Sequence, residues 1–573
     1  MEIGSGSRTP RTTRSEPIQN PQPVAQSTPP AETAQAPQTT PTQQALQADG
    51  FEETGTQPSN AETLTGATAA EATPGTGTAA AAGTPTAPSD ETVAAAQDIL
   101  ETGRNSPSEA THALGERLRD PNTTQEQREA LVTELIEQDP YTAAQILNQA
   151  GQDSDRWGNV TDEDRQIISQ TVGQAWERSN PPGGQPAAAG TDNALDAQDL
   201  RALISPANMS SYPEAGAQPH NIGNALGASG SASLQQSAAT QMYDIGKEFA
   251  AGRDVDGALP SPPFDVAAAD SYMSGAALAA SGSPQAAQAL MDHVASAGGV
   301  QDFVNRTSPV NQANTHGPVA ANALGKLMQA AGSQPATPAA DQFFDEASRV
   351  ASTYAGKGRR HVGAEEGVQE LQQGLSQYFQ TNMEHTTTRW ASSDQIADRS
   401  AYANFASNVL FGDSFEGQKD LQAKFSSYIG QRAGELQNAP VGDPNQEEKA
   451  RQLGFLIGGA EVGFQRALGR VKDTNAARDA MVDFVFGIAE AAATTASGGA
   501  IPNFKFGPVD VRGTITNELK DRVKQWVHEE SPDANEMTRP LYELGLSINR
   551  DYQDEMQSIR GSFADDERYG YLK

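Results

Sequence analysis

The stretch from Glu447 to Ala500 constrains the fold most, because it combines length with the densest apolar content of the chain. Apolar side chains recur there every three or four residues, which is the spacing of one face of an α-helix. A first face comprises Leu453, Leu456, Ile457, Ala460, Phe464, Ala467, Leu468 and Val471, and a second comprises Met481, Phe484, Val485, Ile488, Ala489 and Ala492. Asp473 and Thr474 lie between the two faces and can cap the second helix. The pattern predicts an apolar helical hairpin over residues 450–500.

Glycines interrupt the first of these helices at four positions, namely Gly454, Gly458, Gly459 and Gly463. Each glycine costs a helix about 1 kcal/mol relative to alanine, and the close approach of another helix would explain that cost. Glycines four residues apart also form the dimer motif of membrane helices, but a membrane span needs about 20 largely uncharged residues. Both helices are interrupted by charges, at Glu461, Arg466, Arg470, Asp483 and Glu490. The sequence therefore favours a buried soluble hairpin, with a pore or conditional membrane insertion as the alternative.

The charge balance of the chain limits its partners. Lys and Arg number 40 against 73 Asp and Glu, which gives a net charge of −33. Nucleic acids and anionic membrane surfaces are bound through basic side chains, so we expect neither as a partner. The chain has no cysteine, which excludes disulfides, thiolate nucleophiles and cysteine-based zinc sites. Its N-terminus lacks the apolar core of about 7–15 residues that a Sec signal peptide requires. We therefore expect a protein that is secreted by a non-Sec route or is cytoplasmic.

Residues 1–90 consist mainly of Pro, Thr, Ala, Gln and Gly and contain almost no large apolar side chains. Such a segment cannot bury enough apolar surface to offset its ordering entropy, so we predict a disordered leader. Its first part, Met1–Arg14, is rich in Ser, Thr and Arg and resembles the leaders of secreted bacterial effectors. The run Ala48–Glu52 is similar to a short motif that follows low-complexity leaders in some secreted proteins of predatory bacteria. The alternative is a solvated tail without a special role.

Residues 91–180 have the pattern of consecutive short helices and predict a small helical domain. Helix starts are indicated at Ser106-Pro107, at Thr123 with Glu126, and at Asp139-Pro140. A linker rich in Pro, Gly and Ala follows over residues 181–197.

Residues 198–573 form the predicted body, in which Ala-rich helices are separated by Gly, Ser and Pro. Its helical candidates include Gln395–Leu410, Lys419–Leu436 and Thr538–Ser558, the last followed by a frayed acidic tail. Ile501–Val511 is the one plausible extended piece, and strands nowhere alternate with helices. We therefore predict an all-α fold in which a disordered leader precedes a small helical N-terminal domain and a larger Ala-rich multi-helix body.

The segment Asp153–Asp164 resembles an EF-hand calcium loop, with acids at positions 1, 3 and 12 and Gly158 at position 6. The resemblance implies a degenerate calcium site whose ligands are Asp153, Asp155, Asn159, Thr161 and Asp164. Trp157 stands where a ligand is expected, and an aspartate at position 12 is shorter than the usual glutamate, so binding would be weak. The alternative is an acidic loop that ends in a helix cap at Thr161–Asp164. We expect no other cofactor.

Two further patterns invite a functional interpretation. The run Phe411–Gly417 is similar to the nucleophile block of GDSL-type esterases, which implies that Ser414 is a nucleophile. That family needs a preceding strand and an Asp-x-x-His motif, whereas here a helix is predicted to precede and His528 lacks the aspartate. The same residues are equally typical of a turn between helices that is capped by Asp413 or Ser414. The basic cluster Arg359–His361 fits either an acidic partner or a solvated turn.

Together these features predict a non-enzymatic helical protein that is secreted or delivered. It would act by helix-mediated binding of protein partners, and a secretion or injection apparatus is a possible partner. The apolar faces at 453–471 and 481–492 resemble helical domains of secreted bacterial polymorphic toxins and their cargo. We assign no catalytic and no cofactor-binding residue. The alternatives are a helical enzyme with an unrecognised site and a conditional pore-forming protein that uses the hairpin.

Overall fold

A computed structural model of the chain describes residues 88–152, 159–183, 194–209, 217–253, 255, 264–355, 359–393, 395–440, 442–496, 503–512, 515–546 and 550–568. These residues belong to one compact unit of the chain. The leader predicted for residues 1–90 lies outside them, apart from its last three positions.

The described residues form an all-α fold, as the sequence predicts. The helices are α1 (Asp90–Asn105), α2 (Pro107–Arg119), α3 (Gln125–Gln138), α4 (Pro140–Ala150), α5 (Asp162–Ser179), α6 (Ala197–Leu203), α7 (Pro219–Gly227), α8 (Ala232–Ala250), α9 (Phe264–Ala280), α10 (Pro284–Ser296), α11 (Val300–Arg306), α12 (Pro309–Thr315), α13 (Pro318–Ala321), α14 (Ala323–Ala331), α15 (Pro338–Val350), α16 (Glu365–Thr381), α17 (Met383–Ala391), α18 (Ile396–Phe405), α19 (Gln418–Gln437), α20 (Pro444–Leu468), α21 (Thr474–Thr495), α22 (Asn517–Glu530), α23 (Ala534–Leu546) and α24 (Arg550–Arg568). A 3-10 turn spans Pro206–Asn208, and a π-helical turn spans Ala406–Leu410. The predicted extended piece is an antiparallel hairpin of strands β1 (Phe504–Phe506) and β2 (Val509–Val511).

Helices α1 to α5 occupy the predicted small helical domain. Helix α2 begins at Pro107 as predicted, but the Ser106 side chain makes no cap hydrogen bond. Asp139 accepts a hydrogen bond from the backbone of Thr142 at the start of α4, as predicted. The cap of α3 is Thr124, one residue after the predicted Thr123, because the amide of Thr123 is used in a turn that closes on Asp120. The buried faces comprise Ile99, Leu100, Leu114, Leu118, Leu131, Leu135, Ile136, Ile146, Leu147, Ile168, Val172 and Trp176.

Two of these helices pack on α7 and α8, namely α4 on α7 and α5 on both. The Asn148 side chain accepts hydrogen bonds from the amide of Gln218 and from Asn221, at 2.8 and 3.0 Å. The indole of Trp176 donates to Ser233 at 3.1 Å. The predicted linker, whose residues 184–193 lie outside the described residues, therefore connects helices that share an interface. Independent folding of residues 91–180 stays a prediction.

Glycines bring several helix pairs of the body into backbone contact. A Cβ atom placed on Gly223 of α7 would lie 2.2 Å from the carbonyl oxygen of Gly275 in α9. One on Gly374 of α16 would lie 2.6 Å from the carbonyl oxygen of Gly325 in α14, and one on Gly430 of α19 would lie 2.3 Å from a carbonyl oxygen of α21. Only glycine permits such distances, so these positions set how closely the Ala-rich helices pack.

Helices α20 and α21 contain the two apolar faces of the 450–500 stretch except for Val471, which follows the end of α20. Both faces are buried apart from Leu468 and Val471, which are partly buried. The predicted close approach at the glycines is confirmed. A Cβ atom on Gly454 would meet the Met556 carbonyl oxygen of α24 at 2.3 Å, and one on Gly463 would meet Ala406 at the π-helical turn. The two helices touch each other, but α20 packs chiefly on α24 and α21 chiefly on α19. They are thus part of a larger packed layer and do not form a self-contained hairpin.

Aromatic side chains fill the centre of the body. Buried rings from six helices lie 4.6 to 6.2 Å apart between centroids, within the range of favourable aromatic pairs. These rings belong to Phe344, Tyr378, Phe379, Trp390, Tyr402, Phe405, Phe455 and Phe563. The core therefore joins α15 to α18 with α20 and α24.

The segment Gln395–Leu410 is helical as predicted, since α18 reaches Phe405 and the π-helical turn follows it directly. One helix prediction for the end of the body was wrong. The segment predicted as one helix over Thr538–Ser558 is two helices, and α24 continues to Arg568 where a frayed tail was expected. Buried Phe563 and the ion pair between Asp566 and Arg399 hold that end in place.

Candidate functional site

The predicted calcium loop lies partly outside the described residues, which include Asn159, Thr161 and Asp164 but neither Asp153 nor Asp155. The Asp164 side chain is fully buried, and one oxygen accepts hydrogen bonds from the Thr161 amide and hydroxyl, both at 2.9 Å. Its other oxygen pairs with Arg119 at 2.7 Å. Asp164 thus forms the helix cap that was the alternative interpretation, together with Thr161.

Electrostatics keep Asp164 ionised. Burial alone would raise the pKa of this carboxyl, but hydrogen bonds from His112, Thr161 and Arg119 outweigh burial and lower the pKa. Among the described residues, no group of three or more metal-ligating side chains is placed to hold a metal ion. Calcium binding at residues 153–164 stays a prediction.

A cleft of about 210 Å³ brings together two patterns that the sequence singled out separately. Arg360, from the basic cluster, lies on one side of it. Asp413 and Ser414, from the esterase-like run, lie on another. The remaining walls come from the first half of α16 and from the turn that joins α20 to α21. We take this cleft as the candidate functional site.

An ion pair between Arg360 and Asp413 holds the walls of the cleft together. Arg360 Nη1 donates to Asp413 Oδ2 at 2.7 Å and to the Thr353 hydroxyl at 3.2 Å, while Nη2 donates to the Arg470 carbonyl. The other oxygen of Asp413 accepts from the amide of Lys472 at 2.7 Å. The Arg360 and Asp413 side chains are each 30% exposed, so they link three chain segments at a partly solvated wall.

The structure supports the interpretation of the run Phe411–Gly417 as a turn between helices, but its predicted cap is wrong. Helix α19 begins after Gly417, which adopts a left-handed conformation with φ 86°, and no side chain caps it. Ser414 is exposed, and among the described residues no histidine lines the cleft. His528 instead contacts Asp479 on α21 at 3.0 Å. The esterase resemblance therefore does not extend to a base for Ser414.

Gln372 lies at the floor of the cleft and is only 2% exposed. Its Nε2 donates to the carbonyl oxygens of Asn408 and Ala351, at 2.7 and 3.3 Å. Because both partners are acceptors, the nitrogen must face them and the oxygen must point the other way. That oxygen, Oε1, is buried and has no hydrogen-bond partner among the described residues. The two hydrogen bonds of Nε2 therefore fix the orientation of this side chain beside the cleft.

The rest of the cleft combines an apolar wall with a polar rim. Val368, Ala476, Ala477 and Ala480 supply the apolar wall. At the rim, Lys472 and Glu365 approach to 3.6 Å, but both side chains are more than half exposed. Such an exposed ion pair contributes little and can rearrange when a partner arrives.

A wider groove of about 420 Å³ lies between α11, α15 and α18 and contains several acids. Its most buried carboxylate, Asp345, already has partners, because Arg389 binds both oxygens at 2.8 Å and the Trp390 indole donates at 2.9 Å. Burial nevertheless raises the pKa of Asp345. None of the described residues that line this groove has a buried side-chain nitrogen or oxygen without a hydrogen-bond partner.

The sequence interpretation missed Gln372, although one signal was present. Gln372 interrupts the buried apolar face of α16, which includes Val368, Leu371, Leu375 and Phe379. A polar residue on such a face must find partners inside the protein, so the position was worth noting.

No protein-family model matches this chain, and no curated protein is significantly similar to it. Every helix that the structure describes is too short or too polar to span a membrane. The function is therefore argued from the cleft itself.

Proposed function

We propose that this chain is a non-enzymatic helical binding protein that engages a protein partner through the cleft lined by Arg360, Gln372 and Asp413. The observation that carries the proposal is the partly exposed apolar wall of the cleft, to which Ala476 and Ala480 contribute. A partner side chain that enters the cleft removes this apolar surface from water.

The state of the charged groups favours binding over catalysis. Arg360 and Asp413 are paired with each other and with backbone groups, so both serve to hold the walls. General acid–base or nucleophilic catalysis needs a titratable group that is free to exchange a proton with the substrate. Among the other carboxylates that the structure places on the lining, Asp473 accepts hydrogen bonds from two amides of α21, and Glu365 lies 3.6 Å from Lys472.

The size of the cleft favours a protein side chain as the occupant. Pockets for cofactors and drug-sized ligands usually enclose about 300–1,000 Å³. The cleft encloses about 210 Å³, which suits a single inserted side chain. The helices that form its walls would provide the surrounding contact surface, in keeping with helix-mediated binding.

Affinity capture from the native host tests this proposal with three tagged full-length chains. Ala480→Leu fills the apolar wall without removing a hydrogen bond. Ala493→Leu is the matched control, since Ala493 is also partly exposed on α21 but lies outside the cleft. We expect a partner that the unchanged chain and Ala493→Leu retain and that Ala480→Leu loses, and we expect the purified partner to reproduce this order in titrations. Identical partners for all three chains would refute the cleft as the binding site.

Delivery out of the cell is the second half of the proposal and rests on the composition of residues 1–90. We expect the full-length chain to reach the medium or an injection particle, and a version that begins at Glu91 to remain in the cytoplasm. Equal distribution of the two chains would show that the leader does not direct export.

A further inference from the structure

We infer that the cleft receives the basic side chain of a Lys or Arg residue of the partner, whose aliphatic stem lies on the apolar wall and whose cationic group meets the carboxylates of Glu365 and Asp473. This inference rests on the proposed function and specifies the chemistry of the side chain that the same cleft takes.

The apolar wall suits the stem of such a side chain. Ala476 and Ala480 lie one turn apart on α21, and both are partly exposed where they line the cleft. Long basic side chains bury their methylene groups against apolar surface while the charged end stays in water. A cleft of about 210 Å³ with an apolar wall and an exposed polar rim provides both surroundings.

The charged groups of the lining favour a cation over an anion. Three carboxylates line the cleft, those of Glu365, Asp413 and Asp473, against the two cationic groups of Arg360 and Lys472. Arg360 and Asp413 neutralise each other at 2.7 Å. The other two carboxylates have only the ammonium group of Lys472 to balance them on the lining, so a further positive charge is attracted there.

Both of these carboxylates can accept a hydrogen bond from an arriving cation. Asp473 caps α21 through Oδ1 alone, which accepts from the amides of Asn475 and Ala476, both at 3.0 Å. Its Oδ2 retains the capacity to accept. Glu365 lies 3.6 Å from Lys472, and both side chains are more than half exposed. Since an exposed ion pair contributes little free energy, Glu365 can exchange this ammonium group for that of a partner.

The charge of the whole chain acts in the same direction. The net charge of −33 attracts cationic groups and speeds their encounter with the protein. An anionic side chain would have to approach against this field and would find at the rim only the ammonium group of Lys472. The complementary occupant is therefore basic.

Saturation-transfer NMR with the purified full chain at low ionic strength tests the assignment. The probes are butylamine and propylguanidine, which copy the Lys and Arg side chains, with butanol and pentanoate as neutral and anionic molecules that share the butyl chain. We expect at least one cationic probe to bind at least about threefold more tightly than butanol and pentanoate, as one solvated ion pair implies. The tighter of the two cationic probes identifies the residue type.

Charge variants locate the binding. Glu365→Gln/Asp473→Asn removes both carboxylates and keeps the cap of α21, because Asn caps a helix as well as Asp does. Asp98→Asn/Glu109→Gln is the matched control, since it removes the same two charges at exposed positions outside the cleft. We expect only the first variant to lose the preference for the cationic probe over butanol. Lys472→Gln should bind the cationic probe more tightly than the unchanged chain does, because it removes the competing ammonium group.

Three results would overturn the inference. They are cationic probes that bind no better than butanol or not at all, an equal loss of binding in the two double variants, and weaker binding of the cationic probe by Lys472→Gln.

The outcomes also separate this inference from the proposed function. If any of those results occurs while Ala480→Leu still loses the partner, the cleft remains the binding site and takes a different side chain. If the cationic probe binds as expected but partner capture is the same for the unchanged chain, Ala480→Leu and Ala493→Leu, the recognition of a basic group stands and the protein-partner proposal falls.

Discussion

Replacing Gly454 by alanine should destabilise the protein, although alanine is the better helix former. Gly454 lies in the interior of α20, where a Cβ atom would sit 2.3 Å from the Met556 carbonyl oxygen of α24. The obstructing atom belongs to the backbone, so relief requires the two helices to separate by about 1 Å. That movement would loosen the contacts of buried Tyr552 and Phe563.

The expected size follows from two opposing effects. Alanine favours a helix interior over glycine by about 1 kcal/mol. Overpacking of a well-packed interface costs about 1–3 kcal/mol, and a clash with backbone belongs at the upper end of that range. We therefore expect Gly454→Ala to lower the free energy of unfolding by about 2 kcal/mol.

The partner helix supplies a matched control. Gly561 lies within α24, but a Cβ atom there would meet nothing within 4 Å. Gly561→Ala should therefore stabilise the protein by about 0.5–1 kcal/mol through helix propensity alone. The same substitution of glycine by alanine should thus lower the free energy of unfolding on α20 and raise it on α24, although the two helices pack together.

Urea unfolding followed by circular dichroism measures the midpoint for both variants, and hydrogen exchange of α24 locates the effect. We expect a lower midpoint and faster exchange in α24 for Gly454→Ala, and a slightly higher midpoint for Gly561→Ala. A Gly454→Ala protein that is as stable as the unchanged chain would refute the close contact of α20 with α24.

Two further predictions concern titratable groups. Burial lowers the pKa of His220 to about 3 and that of His316 to about 4. Below about pH 6.5 these two histidines are therefore protonated in the unfolded chain but stay neutral in the folded chain. The free energy of unfolding should be highest above that pH and fall towards pH 4. A His220→Gln/His316→Gln variant should show a smaller change of the urea midpoint over this pH range. Calcium, if it binds, should do so only at millimolar concentrations, because Asp164 must first release its present partners. Calorimetric titration checks this, with the Asp153→Asn/Asp155→Asn variant as the control that loses the signal.

Local features of the fold could be predicted from the sequence because their causes are local. The start of α4 depends on Asp139 and Pro140, which are adjacent in the chain and cap its first turn. The buried face of α20 is set by helical periodicity, which the order of residues displays directly. The end of α24 could not be predicted in this way, since its acidic sequence suggests solvent and only Arg399 and Arg466 of other helices provide the partners of Asp566 and Glu567.

The sequence did not reveal which residues that lie far apart in the chain contact each other in the fold. The glycines of α20 indicate that another element comes close, but nothing in them identifies α24, which begins about 100 residues later. Arg360 and Asp413 were each singled out for a different reason, and the ion pair that joins them spans 53 residues. Helical periodicity does not describe loops, and the loops that contain Arg360 and Asp413 line the cleft beside helices α16 and α21.

The apolar stretch and the cleft are nevertheless physically connected. Gly463 of α20 lets the π-helical turn approach, since a Cβ atom there would lie 2.3 Å from the Ala406 side chain. The same turn presents the Asn408 carbonyl to Gln372 Nε2 at 2.7 Å. That hydrogen bond directs Gln372 Oε1 away from the turn, where it remains unpaired. The helix packing that the glycines permit therefore fixes the orientation of a residue that lines the cleft, in keeping with the frequent occurrence of π-helical turns at functional sites.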